Sequence, residues 1–341
     1  MNKQVSVLAV IAILAVGLGV WLSQPPSTHT FETELLFDDL QKMANQVDSV
    51  EITNAQGVLL SAKKSAENWL ATIEPEQSVY PVSHDKLADL VETLMQAKLV
   101  EAKTRKPKNY IRLGLQSIDT QDSMATLVTI KASGNSWQVL VGNEVTFGEG
   151  HYILKPKDAQ SWRTDKTISL PIDIFSWLKQ PILPYQEQDI NAVSRVDSLD
   201  WQIARSANGD FQLMNKPTDK ELEYASILNS IVSNLTNLKF EQVLAANDEF
   251  TQSLKVLTQL EVTTTDETTF QVVVSELDGN HYVNFNVSDP SEYWQKGYFQ
   301  VSNFSAQQLM KTTEDFLVEE NNTTGDIDTS SKAVDEGDSP Y

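Results

Sequence analysis

Ser83-His84-Asp85 holds the side chains of a nucleophile, a base and an orienting carboxylate in one triplet. Residues adjacent in sequence cannot form that relay, because its members must converge from separate parts of a fold into a chain of hydrogen bonds. The triplet instead precedes an apolar-periodic stretch, where a serine hydroxyl caps free amides and an aspartate suits the positive helix end. His151-Tyr152 and His281-Tyr282 form a second candidate, two identical dipeptides able to offer ligand contacts on matching strand faces. Alternation gives the plainer alternative, each tyrosine packing inward and each histidine facing solvent. Asp326 and Asp328 resemble part of a calcium loop, but its glycine and closing glutamate are missing at the required spacing. There is no Gly-x-Ser-x-Gly elbow and no phosphate loop, and four scattered histidines without any cysteine leave little for zinc. The sequence therefore assigns no catalytic, cofactor-binding or metal-ligating residue.

One further cluster carries charge rather than chemistry. Lys98, Lys103, Arg105, Lys106, Lys108 and Arg112 fall within fifteen residues, opposed only by Glu101. Such an island attracts anionic lipid headgroups or an acidic partner surface, at about 1 kcal/mol per cation near a charged membrane. The alternative is a solvated loop around Pro107. The rest of the chain is acidic. Net charge is −21, and the stretch from Glu314 to Tyr341, with nine acids and one lysine, accounts for −8 of it, leaving −13. That balance argues against general nucleic-acid binding.

The elements that would position these residues begin with an apolar run from Val5 to Leu22, preceded by Lys3 and closed by Ser23-Gln24-Pro25-Pro26. Eighteen helical residues span about 27 Å, close to the hydrocarbon core of a bilayer. Trp21 and Leu22 stand where a cleavage site would need small residues, so the run reads as an uncleaved anchor. Gly17 and Gly19 provide the weaker alternative of a cleaved signal. Lys3 precedes the run, and Glu32, Glu34, Asp38 and Asp39 follow it before the first later cation, Lys42. This asymmetry predicts a single pass with a cytoplasmic N-terminus and an exported body, which in a Gram-negative cell makes it a bacterial inner-membrane protein with a periplasmic body. Absence of cysteine excludes a lipoprotein anchor and disulfide stabilisation. Several Asn-x-Ser/Thr patterns matter only in a eukaryotic host.

The body contains what reads as one unit twice. Leu87, Leu90, Val91 and Leu94 form a helical stripe, and a shift of 141 returns it as Leu228, Ile231, Val232 and Leu235. An aromatic strand precedes each helix, at Trp69–Ile73 and Phe211–Met214. Hairpins follow at 126–141 and 260–274, then His151-Tyr152-Ile153 is echoed by His281-Tyr282-Val283, and Ser161-Trp162-Arg163 by Tyr298-Phe299-Gln300. The expected fold is α+β, a tandem duplication of a mostly antiparallel sheet with one packed amphipathic helix. The expected organisation is an anchor and short linker over 1–30, a first unit over 31–184, a second over 185–317, and a disordered acidic tail over 318–341. Trp69, Trp137 and Trp162 are expected in the core.

Val50-Glu51-Ile52-Thr53, the Trp69 strand, the Leu87–Leu94 helix, Leu99-Val100-Glu101-Ala102-Lys103-Thr104, Tyr110-Ile111-Arg112-Leu113-Gly114-Leu115, the Tyr152-Ile153 strand and Ser161-Trp162 together resemble the bacterial family catalogued as domain of unknown function 4340. The resemblance spans roughly 35–310 and rests on packing and turn residues. It implies a membrane-anchored extracytoplasmic protein, often beside ABC-type export permeases, and supplies no catalytic residue. The leading expectation is a non-enzymatic auxiliary component of an ABC-type transport system, whose partner is such a permease or a related membrane subunit, with no cofactor. The alternatives are an envelope polysaccharide-binding or hydrolytic enzyme and a structural envelope scaffold.

Overall fold

The computed structural model describes residues 33–73, 78–198, 200–288 and 290–318. The Val5–Leu22 run and the tail from residue 319 lie outside the described residues. Among the described residues no helix is long and apolar enough to cross a membrane. The chain is mixed α+β with two sheets, and every strand pairing within them is antiparallel. It divides into two compact units between Lys179 and Gln180.

The first unit contains β1 (Glu34–Leu35), β2 (Val47–Asn54), β3 (Gly57–Ser65), β4 (Asn68–Ile73), β5 (Ser78–Pro81), helix α1 (His84–Gln96), β6 (Lys98–Ala102), β7 (Thr126–Ala132), β8 (Asn135–Glu144), β9 (His151–Leu154) and β10 (Ser161–Thr164). Its sheet runs in the order β1-β6-β10-β9-β8-β7-β2-β3-β4-β5. The second unit contains β11 (Ile190–Arg195), β12 (Gln202–Arg205), β13 (Phe211–Leu213), α2 (Ile227–Thr236), β14 (Gln242–Ala245), α3 (Asp248–Ser253), β15 (Lys255–Thr264), β16 (Thr269–Leu277), β17 (Asn280–Asn286), β18 (Gly297–Val301) and α4 (Asn303–Leu309). Its order, β14-β18-β17-β16-β15-β11-β12-β13, is the first order without the two outermost strands.

The correspondence holds residue by residue. In the first sheet Ala71 faces Ala62, which faces Val50, then Ile130, then Trp137. In the second, Leu213 faces Ile203, Val193, Val262 and Phe270 in turn. Directly opposed residues share a sheet face, so each chain of neighbours is one stripe of a single sheet face. A second stripe, Val141-Ile153-Trp162-Ala102, matches Val274-Val283-Phe299-Val243. The predicted helical stripes also fold inward: Leu87, Leu90 and Leu94 are buried in α1, and Leu228, Ile231, Val232 and Leu235 in α2. Ser83 caps α1, accepting from the Lys86 amide at 3.5 Å.

Both ends of each unit are fastened in the same way. The Leu36 amide donates to the Ala97 carbonyl at 2.8 Å, and the Ile182 amide to the Leu238 carbonyl at 2.9 Å. At the other end Ser83 and Glu223 donate to the carbonyls of Trp177 and Phe316, at 2.8 and 2.9 Å. Lys179 and Val318 then donate to Pro81 and Glu221, at 2.9 and 3.0 Å. Isolated bridges Val82–Leu178 and Leu222–Leu317 complete each closure.

One expectation about the core fails. Trp69, Trp137 and Trp162 are only half-buried, whereas Trp177, Trp201 and Trp294 are the buried indoles. Trp137 lies near the turn end of its hairpin, opposite Ile130 but without a partner on β9, and Trp69 near the start of β4, opposite the exposed Lys64. Trp294 sits in a ring cluster of the second unit, 5.2 Å from Phe270 and 5.5 Å from Phe285, both edge-on.

Candidate functional groove

The units differ most between the sixth strand of the first sheet and its seventh. Unit two crosses from β14 to β15 through α3, whose Phe250 packs edge-on to Tyr282 and Tyr298 at 5.2 and 5.4 Å. Unit one takes residues 103–125 for the same crossing. Conserving the frame while varying a connection is how folds ordinarily acquire a site.

The longer crossing opens with Lys103 and Thr104 fixed to β10. The Lys103 amide donates to the Ser161 carbonyl at 2.9 Å, and Ser161 Oγ donates to the Thr104 carbonyl at 2.9 Å. Pro107 then starts a 3-10 helix, Pro107–Leu113, at the position where a missing N–H costs nothing. Three residues per turn place Pro107, Tyr110 and Leu113 on one side and Lys108 and Ile111 on another. Tyr110 and Leu113 pack with Ile118, Leu127 and Tyr152 on a cluster of Leu115, Ala125, Leu140 and Leu154. Leu127 opposes Leu140, and Leu140 opposes Leu154, so this second apolar patch lies on the sheet face opposite Val128, Val139 and Ile153. The Tyr110 hydroxyl donates to the Ala159 carbonyl at 2.5 Å.

Two glycines let the crossing settle onto the sheet. Gly114 ends the 3-10 helix in the left-handed conformation, φ 66°. A Cβ there would lie 2.9 Å from the Asn143 amide nitrogen and closer still to the Asn143 side chain. A Cβ on Gly142 would lie 2.3 Å from the Leu113 carbonyl oxygen. The turn and β8 thus touch backbone to backbone, as only glycine permits.

Between crossing and sheet lies a groove of about 770 Å³. Its floor is Leu115, Leu127, Leu140 and Leu154, and its walls include Tyr110, Ile111, Ile118 and Pro156. Lys108 stands on the rim, and Lys155 and Lys157 flank Pro156. The one lining carboxylate, Asp119, already accepts from Ser117 Oγ at 2.9 Å. A second cavity of the same unit, about 570 Å³, is lined by Glu51, Val58, Ile73, Ile174 and Phe175 among others, with one carboxylate among the described lining residues. Among the described residues no group of three or more His, Cys, Asp or Glu side chains could hold a metal.

The basic island separates into parts. Lys98 stands at the start of β6, away from the crossing, and its amide donates to Asp165. Lys103 pairs with Glu101 at 2.6 Å and lies 5.6 Å from the centre of the Tyr152 ring. Arg105 donates to Gln160 at 2.9 Å. Lys106, Lys108 and Arg112 are exposed and make no ion pair among the described residues. The His-Tyr pairs stand in matching strands, each within its own unit. Tyr282 is buried under Phe250, while Tyr152 is half-buried on the groove cluster. His281 lies opposite Glu276 and Val301.

His151 is held by the scaffold. Its Nδ1 accepts from the Ile168 amide at 3.1 Å, and its own amide donates to Thr164 Oγ1 at 2.9 Å. Burial lowers its pKa below the ordinary 6.5, against a smaller upward pull from Glu144. The neutral ring is therefore the native form. The unfolded chain takes up a proton as pH falls through 6.5, while the folded chain does so only lower. Stability from this site is complete above 6.5 and declines as pH falls below it. His151→Asn, which keeps an acceptor, is expected to flatten that acid slope in urea titrations run at stepped pH. An unchanged slope would show that His151 does not contribute to it.

Two antiparallel α+β units of one strand order, with a groove on the back of the first, define the class of protein. The sequence profile of the family described as a domain of unknown function (DUF4340) matches residues 73–256, more than half of the chain, and the chain belongs to that family. The match includes the whole groove crossing and both long helices. No curated protein and no solved structure matches.

Proposed function

We propose that this chain is a non-catalytic, membrane-tethered interaction module, an auxiliary component of an ABC-type transport system. In this reading Val5–Leu22 holds it in a bacterial inner membrane, with the body in the periplasm and the two units arising by tandem duplication. The matching strand order and fastening of the two units support the duplication. The observation that carries the binding role is the groove, an apolar floor with a cationic rim and a single engaged carboxylate. Among the described lining residues of either cavity there is one carboxylate, whereas hydrolysis of a glycosidic bond ordinarily uses two facing ones. The occupant is an extracytoplasmic segment of the permease that offers an apolar side chain beside acidic residues, complementary to Leu115, Leu140, Lys155 and Lys157.

The test is affinity purification of tagged full-length protein in mild detergent after in-cell crosslinking, with mass spectrometry of what co-purifies. An ABC permease and its ATPase at comparable abundance are expected, and Lys155→Glu/Lys157→Glu is expected to reduce both severalfold. Recovery of the protein alone, crosslinked and uncrosslinked, would overturn the auxiliary role.

A further inference from the structure

Lys106, just ahead of the 3-10 helix, and Lys108 and Arg112 within it make no ion pair among the described residues, and they follow the strand against which the chain enters its first unit. β1 and β6 are antiparallel, with Leu35 opposite Lys98 and Glu34 opposite Leu99. Moving back along β1 toward the N-terminus therefore means moving forward along β6, toward Lys103 and the crossing. From Leu99 to Lys103 is about 13 Å of strand. Only eleven residues separate Leu22, the end of the apolar run, from Glu34, a span of at most about 40 Å. The chain thus enters β1, at Glu34, from the side of β6 on which the basic helix departs.

That helix carries the composition of a membrane-surface contact. Lys108 and Ile111 are three residues apart and so share one side of a 3-10 helix, with Lys106 and Arg112 beside them. Ile111 is 59 % exposed. It is a large aliphatic side chain held out among three cations in a chain whose net charge is −21. An acidic body is repelled by an anionic bilayer, and this segment has the opposite sign. Tyr110 and Leu113, on the inward side, fix it to the sheet through the Leu115 cluster. The glycine contacts at Gly114 and Gly142 hold its C-terminal end down. Its backbone is preset, so docking orders only the exposed side chains.

The geometry points to the face formed by Lys106, Lys108, Ile111 and Arg112 as a docking surface for anionic phospholipid headgroups of the membrane in which the protein is anchored. The inference deepens the proposed function and rests on its anchor. Docking would set the groove at headgroup level, where the extracytoplasmic segments of a membrane partner emerge.

The chain has no cysteine, so Ile111→Cys provides a unique labelling position in the full-length protein. A bimane attached there is followed in proteoliposomes of phosphatidylcholine alone or with phosphatidylglycerol, each carrying brominated lipid as quencher. Met214→Cys, also well exposed but outside any basic segment, is the reference. With phosphatidylglycerol the Ile111 label is expected to shift to the blue and be quenched, and the Met214 label to do neither. Lys108→Glu/Arg112→Glu in the same background is expected to lower the quenched fraction about tenfold, as is salt at about 0.5 M, which screens surface charge. A label that stays in water while the protein resists carbonate extraction overturns the docking face and leaves the anchor standing. Equal quenching with and without phosphatidylglycerol overturns its electrostatic basis. Quenching only in the presence of a co-purified permease assigns the face to protein instead. If the chain is released by carbonate, the anchor fails separately. Flotation of the released protein then decides: salt-sensitive binding to anionic vesicles supports the face, and no binding overturns it.

Discussion

Trp177→Ala is expected to cost the first unit about 3–5 kcal/mol, and Phe316→Ala a similar amount in the second. Trp177 is 1 % exposed and Phe316 fully buried. Each side chain fills the core at the point where the last strand-like residues of its unit return to the first residues ahead of its helix. The Trp177 carbonyl accepts from Ser83, the residue that caps α1. The Phe316 carbonyl accepts from Glu223, and its ring lies edge-on to Trp201 at 5.4 Å. Truncation removes a large buried ring, leaves a cavity, and loosens three backbone contacts that depend on the ring for their position. Calorimetry of the two variants and the parent is the measurement. If the fastenings are equivalent and belong to separate units, Trp177→Ala moves one unfolding transition and Phe316→Ala moves the other. A single transition displaced equally by both variants would show that the units unfold as one body.

Those fastenings illustrate which parts of the fold were legible in the sequence. Helices α1 and α2 follow from their four-residue apolar stripes, and the hairpins from alternation around turns such as Ser133-Gly134, because period is imposed along a whole element. The closures at Trp177 and Phe316, and the openings at Leu36 and Ile182, occupy one or two residues each and have no period to read. They become visible only through hydrogen bonds to residues about sixty positions away for the openings and nearly a hundred for the closures. The groove was half legible. Charge made residues 98–112 conspicuous, but charge alone does not show that Lys103 and Arg105 are engaged while Lys106, Lys108 and Arg112 are free. The apolar residues of the same stretch, Tyr110 and Leu113, recur at three rather than at two or between three and four. A spacing of three ending in glycine marks a short helical turn with a left-handed cap, without separating 3-10 from α, and it was the available signal. Tryptophan was misleading because ring size predicts average burial, whereas position within a strand decides it for each residue.

Gly142→Ala is expected to lift the groove crossing off the sheet, at a cost of about 1–3 kcal/mol. The added methyl would stand 2.3 Å from the Leu113 carbonyl and 2.9 Å from Leu115 Cδ2. The leucine side chain can turn away, but the carbonyl belongs to the backbone of the last 3-10 residue and must move with the helix. Gly134→Ala separates this effect from the intrinsic cost of replacing glycine. Gly134 has φ +83° in a hairpin turn, and a methyl there would meet no atom within 4 Å, so its penalty of about 1 kcal/mol is conformational. Gly114→Ala combines both penalties, with φ +66° and the Asn143 backbone in the way, and should be the most damaging of the three. Hydrogen exchange read at the amides of Leu115 and Ala125 distinguishes them. In Gly142→Ala those amides lose protection while the β2–β3 hairpin keeps it; in Gly134→Ala the crossing stays protected. Equal protection of the crossing in all three would mean that the turn is not seated on β8 in solution, and the groove would lose the wall on which both its proposed occupant and the proposed lipid-docking face depend.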